Sequence, residues 1–391
     1  MNHQFENGIL TVRLLERIDS ANAASVETEL SAIRANLPSD TIILDCASLE
    51  YISSAGLRVI LRVKKAVPDT RLINVSDSVY DILEMTGFTE MMEIQRAYRV
   101  ISVDGCEVIG EGANGKVYRI GTDTVVKVYR HADALPEIHR ERELARTAFI
   151  LGVPTAIPYL VIRIEGGGYG SVFELLNATS FAKLLIRGEK PMDEIAKMSI
   201  ELLKVIHGIE VKPDSMPSMR QTALGWVDYL KGHLPYDLFK KLRALIEAVP
   251  DDTHMLHGDY HLKNITRQGN ENLVLDMDTL CHGHPVFELA SMYNAYCGFS
   301  ELDHDAVKRF LGIDRETSLA FWHKSLQLYL NTADEDTLRA VEDKAKIIGY
   351  VRLLRRSLRR NGLDTEEGRQ QIACYKAHLS ELLPRVDSLV F

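Results

Sequence analysis

The sequence predicts two folds in series: an α/β unit with a mixed sheet and helices over residues 1–98, then a bilobal α+β unit with lobes 105–176 and 177–391, the second lobe helical. Three observations lead there. Residues 1–98 alternate β-like runs with capped amphipathic stretches. Next, the glycines of Ile109-Gly110-Glu111-Gly112-Ala113-Asn114-Gly115-Lys116-Val117 lie between β-type residues, where a dinucleotide-binding unit would turn straight into a helix. Finally, the chain after Phe287 reads as largely helical.

In the first unit, Gly8 to Leu15 is a β-like run, and Ser20 is placed to cap an amphipathic helix through Ala35. Thr41 to Leu44 reads as a buried strand ending in Asp45, and Ser53-Ser54-Ala55-Gly56 opens the next helix. Arg71 to Val75 is a strand, Ser76 caps a helix to Met85, Gly87 stops it, and a short strand is expected near Met92 to Ile94.

In the second unit, glycines at 110, 112 and 115 let a hairpin approach a ligand closely, because a side chain there would clash or forbid the backbone angles. Strands are expected over Lys116 to Ile120 and Thr124 to Tyr129, and in the latter Lys127 interrupts an apolar alternation. The helix expected over Leu135 to Leu151 offers that lysine an acidic partner. Glu141 shares its face with Leu144, Ala145, Ala148 and Phe149, whereas Glu143 is followed on its face by Arg146 and Thr147, so Glu141 is favoured with Glu143 as alternate.

The octet His257-Gly258-Asp259-Tyr260-His261-Leu262-Lys263-Asn264 follows an extended segment, Thr253 to Leu256. Asp276 then ends a short apolar strand. Three oxygen-bearing side chains at this spacing suit phosphoryl transfer, which needs little covalent help but must orient a hydroxyl and hold magnesium against phosphates. In that reading Asp259 orients, and Asn264 and Asp276 hold metal.

With these residues, the stretch from about 105 to 385 resembles the aminoglycoside phosphotransferase and choline kinase group of the protein-kinase-like fold. The resemblance implies that Asp259 is the catalytic base, that Asn264 and Asp276 bind Mg2+, and that Lys127 binds the phosphates of ATP. It further implies a nucleotide lid at Gly110, Gly112, Gly115 and Val117, and a hinge at Ser171 to Leu176 whose backbone near Glu174 and Leu176 meets adenine. Three positions depart from related patterns. Gly258 and His261 stand where protein kinases carry Arg and Lys, which is closer to small-molecule kinases, and Glu288 stands where the phosphotransferases generally show Asp.

The run Leu44-Asp45-Cys46 through Ser53-Ser54-Ala55-Gly56-Leu57, with Ile18-Asp19-Ser20, resembles the STAS domain of anti-sigma factor antagonists. That resemblance implies a reversible phosphoacceptor at Ser54 and a partner protein of the anti-sigma kind. Phosphate there would meet a helix N-terminus, with Asp19 or Asp45 available to repel it.

Composition narrows the remaining classes. A length of 391 residues with 46% hydrophobic content fits two or three packing units, and a net charge of −9 argues against a nucleic-acid-binding surface. Five cysteines without a C-x-x-C pair suggest neither a disulfide framework nor a zinc site, so a reducing cytoplasm is expected. No membrane span or secretory signal is read. His254, His257, His261, His282 and His284 are expected to serve loop packing, and Trp322, Leu326, Leu328 and Tyr329 to be core. Arg352, Arg355, Arg356, Arg359 and Arg360 offer guanidinium groups to an anionic substrate or phosphate, but a solvated helix face balanced by Asp364, Glu366 and Glu367 is the favoured reading.

Together these residues predict an ATP- and Mg2+-dependent phosphotransferase with a hydroxyl acceptor, fused to a STAS module. The acceptor stays open between Ser54, in cis or on another chain, and a small molecule, while a nucleotide-sensing scaffold without catalysis is the non-enzymatic alternative.

Overall fold

The computed structural model describes residues 1–112, 114–131 and 134–391; Ala113, within the expected lid, lies outside them. The chain divides into two units, Met1–Asp104 with Val161–Gly167, and Gly105–Leu160 with Gly168–Phe391.

The first unit is built on a five-stranded sheet in the order His3–Glu6, Ile9–Arg13, Thr41–Asp45, Asp69–Val75, Ile94–Arg96. The first pair is antiparallel and the other neighbours are parallel, which makes the sheet mixed. Leu10, Val12, Ile42, Leu44, Leu72 and Val75 supply its buried face, packed with Val26, Leu30 and Ile33 of the helix Ala23–Asn36 and Val59, Ile60 and Val63 of Ser54–Ala66.

Several boundaries differ from the sequence expectation. The edge strand His3–Glu6 is exposed at every residue, so no alternation announces it, although Asn7 and Gly8, both at positive φ (50° and 79°), form the two-residue turn that such a hairpin needs. Ser20 caps nothing. Asn22 holds the N-cap position of the helix, and Asp19 organises the turn before it by accepting from Ala21 N and donating its own N–H to Asn22 Oδ1. The last strand begins at Ile94, not Met92, because the short helix Phe88–Met91 intervenes after Gly87.

One glycine in this unit is dictated by packing. A Cβ on Gly56 would sit 2.7 Å from Ile52 Cγ1 and 2.9 Å from the carbonyl oxygen of Ile18, beneath the start of the helix Ser54–Ala66. Gly56→Ala is therefore expected to lower stability by about 1–3 kcal/mol, the usual cost of overpacking. Thermal unfolding of the full chain followed by circular dichroism checks this, and an unchanged transition would show that the two isoleucines can move aside.

In the second unit, Val108–Glu111, Gly115–Arg119, Thr124–Tyr129 and Tyr169–Glu174 pair antiparallel in that order. The helix Leu135–Ile150 accompanies them. The rest is mainly helical around Val286–Tyr296, a helix buried at all of its residues. That burial positions the site, because the helix lies under the octet and presents Glu288 and Ser291 to it.

Candidate phosphotransferase active site

Lys127 comes first. It sits on the strand Thr124–Tyr129 opposite Val117 of the hairpin strand, which in turn faces Gly110, so lid and lysine share one register. Its Nζ lies 2.7 Å from Glu141 Oε1 and 2.9 Å from Asp276 Oδ1. Burial alone would lower this amine's pKa, but the charges of Asp276 and then Glu141 outweigh it and keep the ammonium form. The second Glu141 oxygen accepts from Tyr129 Oη at 2.5 Å. Glu143, the alternate partner, instead meets Arg142 and Arg146 at the surface.

The lid closes through Gly112 N–H donating to Gly115 O at 2.9 Å, and Arg130 ties it down through Glu111 and the Gly112 carbonyl. Its glycines are not equivalent. A Cβ on Gly115 would strike Val128 O at 2.1 Å, so the sheet itself demands that glycine, whereas Gly112 has nothing within 4 Å. At the tip, Asn114 Nδ2 donates to Asp278 Oδ2 at 2.8 Å. Asn114, Tyr129, Glu141 and Asp278 line a cavity of about 300 Å³.

The octet runs between Met255–Leu256 and Ile265–Gln268. Its entry is fixed by Glu288, fully buried, whose carboxylate accepts from His257 N (2.5 Å) and Gly258 N (3.0 and 3.1 Å). Burial would raise this acid's pKa; the His207 imidazole, the charge of His257 and the Gly258 N–H bring it below the usual value. Gly258 adopts φ 81°, and a Cβ there would lie 2.5 Å from Thr279 O, so only glycine fits.

Asp259 is half-buried, with Oδ2 3.4 Å from His261 Nε2 and Oδ1 3.9 Å from an Arg352 nitrogen. Burial would push its carboxyl up, but His261 and then Arg352 and His257 hold it down at about 2, so it is a carboxylate at any physiological pH. Asn264 donates Nδ2 to the Asp259 carbonyl at 3.0 Å, which leaves its Oδ1 as the uncommitted atom. Asp276 takes the left-handed conformation (φ 67°, ψ 68°), uncommon for a non-glycine residue, and projects its carboxylate at the lysine. Burial beside Asp276 raises Asp278 to about 7.

Two features escaped the sequence reading. Asp278 carries only the signal of being two residues from Asp276. Arg352 corrects an expectation outright. It donates to the Gly258 carbonyl (3.1 Å) and Ser291 Oγ (2.8 Å) rather than lying on a solvated face. The acids meant to balance the cluster serve their own helix, Glu366 pairing with Arg369 and Glu367 accepting from Gln371. Of the histidines, His257 and His282 pack the loops, with His257 Nε2 3.0 Å from Leu275 O and His282 Nδ1 2.7 Å from Asp252 O, whereas His261 faces Asp259. At the hinge, Leu175 N–H is taken by Asp123 O and Glu174 N–H by Ile157 O, while Glu174 Oε2 accepts from Ile157 N.

The model of the phosphotransferase enzyme family matches residues 105–322, more than half of the chain, from the glycine lid through Glu288 and Ser291 but not Arg352. The chain belongs to that family. Residues 1–100 match the STAS domain, and 92 residues are 34% identical to a Bordetella bronchiseptica protein named as the anti-sigma factor antagonist BtrV, covering 22% of this chain and 78% of that one. The phosphotransferase is also similar to a choline/ethanolamine kinase family protein from Mesorhizobium loti (16% identity, TM-score 0.46, 71% of this chain and 87% of that one). A thermostable mutant of aminoglycoside phosphotransferase APH(4)-Ia gives 14% identity and a TM-score of 0.47 over 72% and 93% of the two chains. A phosphotransferase-family region is thus joined to a STAS domain in one chain. Among its described residues no helix is long and apolar enough to cross a membrane.

Proposed function

We propose that the chain is an ATP- and Mg2+-dependent kinase whose acceptor is Ser54 of its STAS domain, in cis or on another copy. The supporting observation is the state of Ser54. It is exposed at the first residue of the helix Ser54–Ala66, and Ser53 does the capping by accepting from Ala55 N at 3.2 Å. The Ser54 hydroxyl thus has no hydrogen bond among the described residues, and a phosphate there would meet helix N–H groups. A phosphorylatable switch beside a kinase suits control of a partner protein of the anti-sigma kind.

In this reading Asp259 orients the serine hydroxyl and accepts its proton as the oxygen bonds to the γ-phosphorus, while the bond from that phosphorus to the β,γ-bridging oxygen breaks and ADP leaves. Lys127, held by Glu141, meets the α- and β-phosphates of ATP. Gly112, which no packing requires, leaves room for phosphate under the lid. The hinge around Glu174 and Leu176 receives adenine. The donor set fits magnesium, a hard cation that takes oxygen ligands: the uncommitted Asn264 Oδ1 and the Asp276 carboxylate would hold it. Bound there, the ion neutralises charge on the phosphates.

A second reading, a small-molecule kinase regulated by its STAS domain, draws on Gly258, where the fold excludes the arginine usual in protein kinases. Incubating wild type and Ser54→Ala with labelled ATP separates the two. Incorporation into residues 1–100 is expected to vanish in Ser54→Ala, and undiminished incorporation there would sink the first reading.

A further inference from the structure

We propose that the arginine face of the helix Glu335–Arg359 is the acceptor-recognition subsite, and that it selects an acceptor carrying a phosphate or carboxylate close to the reacting hydroxyl. The inference rests on the assignment of Asp259 as the residue that orients that hydroxyl.

Arg352 starts the face, 3.9 Å from Asp259 Oδ1 and bonded to the octet at Gly258 O. It also lines, with Trp226 and Ser291, a cavity of about 150 Å³. Arg355, Arg356 and Arg359 follow at three, four and seven residues, which puts them on the same side of the helix over about 10 Å. Lys263 of the octet joins from the other direction: it lies 5.7 Å from the Phe310 ring, which packs edge-on to Phe299, the ring under Arg356.

These cations are held without being neutralised. Among the described residues Arg355, Arg356, Arg359 and Arg360 make no ion pair, in a chain with a net charge of −9. The nearby acids are committed elsewhere, Asp303 to Arg309 and Glu301 to Tyr293, Tyr350 and His378. Aromatic rings orient the guanidinium groups instead: Trp226 5.8 Å from Arg352, Tyr229 5.8 Å from Arg355 and Phe299 4.9 Å from Arg356. A ring fixes direction but leaves the charge and the N–H donors available. Arginines at i and i+4 repel, so each such pair costs the helix stability until an anion sits between them. Phosphate and carboxylate match the planar guanidinium fork. The STAS domain can supply the same chemistry, since acids outnumber bases in residues 1–100, Glu50 stands four residues before Ser54, and Asp19 follows Ile18, which pairs with Ile52.

The test uses the full chain with saturating ADP on the nucleotide side, titrated with pyrophosphate while tryptophan fluorescence reports on Trp226. Saturable binding is expected in wild type and in Arg355→Lys/Arg356→Lys, and at least about ten-fold weaker binding in Arg355→Glu/Arg356→Glu. No saturable binding, or equal binding in the charge-reversed variant, overturns the inference. ADP formation from Mg–ATP is then compared with glycerol 3-phosphate, glycerol, choline and the chain's own Ser54 as acceptors. An anionic acceptor is expected to turn over fastest, glycerol 3-phosphate marking a small molecule and Ser54 the STAS surface, with charge reversal raising its KM and not the KM for ATP. Preference for glycerol or choline overturns the inference and spares the kinase reading. Absence of all Mg–ATP turnover, with pyrophosphate still bound, overturns the kinase reading and with it the acceptor role of the arginines.

Discussion

Asp259→Asn is expected to lower phosphoryl transfer by about 10³-fold, the range in which a positioned general base acts, with ATP affinity changed by no more than a few-fold. The substitution keeps the shape that His261 and Arg352 surround, so the loss reports on charge and proton acceptance rather than on collapse of the loop. Because the carboxyl titrates at about 2, wild-type activity should show no loss from this group as pH falls toward 5. Single-turnover rates beside equilibrium binding of a fluorescent ATP analogue check both halves. Equal turnover in the variant would remove Asp259 from the catalytic role, and ATP binding with no turnover in either protein would favour the reading in which the nucleotide site senses ATP without catalysis.

Glu288→Gln is the second large effect. The wild-type carboxylate accepts from two N–H groups, that of Gly258 shared between both oxygens, in a fully buried position, and the amide would turn an NH2 donor against the N–H of His257 or Gly258. A loss of about 2–3 kcal/mol is expected from an unsatisfied buried donor and a lost charge-assisted bond. The sign with pH follows from the depressed pKa: the stabilisation is present above the ordinary glutamate value of about 4.3 and lost as pH falls below it. Urea unfolding at neutral pH and near pH 3.5 should therefore show the variant's deficit shrinking in acid. A deficit independent of pH would assign it to packing alone. Activity should fall with the same substitution, since these bonds set the entry of the octet that carries Asp259.

What the sequence reveals of this site depends on how local each interaction is. The octet, the glycine lid and the lysine in an apolar strand are patterns within ten residues, and the lysine does reach both Glu141 and Asp276. Glu141 could be preferred to Glu143 because helical spacing shows which glutamate shares a face with Leu144 and Ala148, and that face is buried. Arg352 could not be read in the same way. Its spacing to Arg355 and Arg356 is visible, but its partners lie at Gly258 and Ser291, 94 and 61 residues away, and nothing local distinguishes it from a solvated arginine. The edge strand His3–Glu6 was hidden by the absence of any buried residue in it, and Ser20 lost the cap to Asn22 because Asp19 had already shaped the turn. The left-handed Asp276 is likewise a property of where the strand must end.

In the proposed function one chain holds both a phosphotransfer site and its acceptor. Mass spectrometry of the full chain after incubation with Mg–ATP decides whether it does. A single phosphate is expected on Ser54 in the wild type, absent in Asp259→Asn and when the metal is chelated. An unmodified Ser54 in the wild type, or a phosphate on it at the same level in Asp259→Asn, would overturn that function.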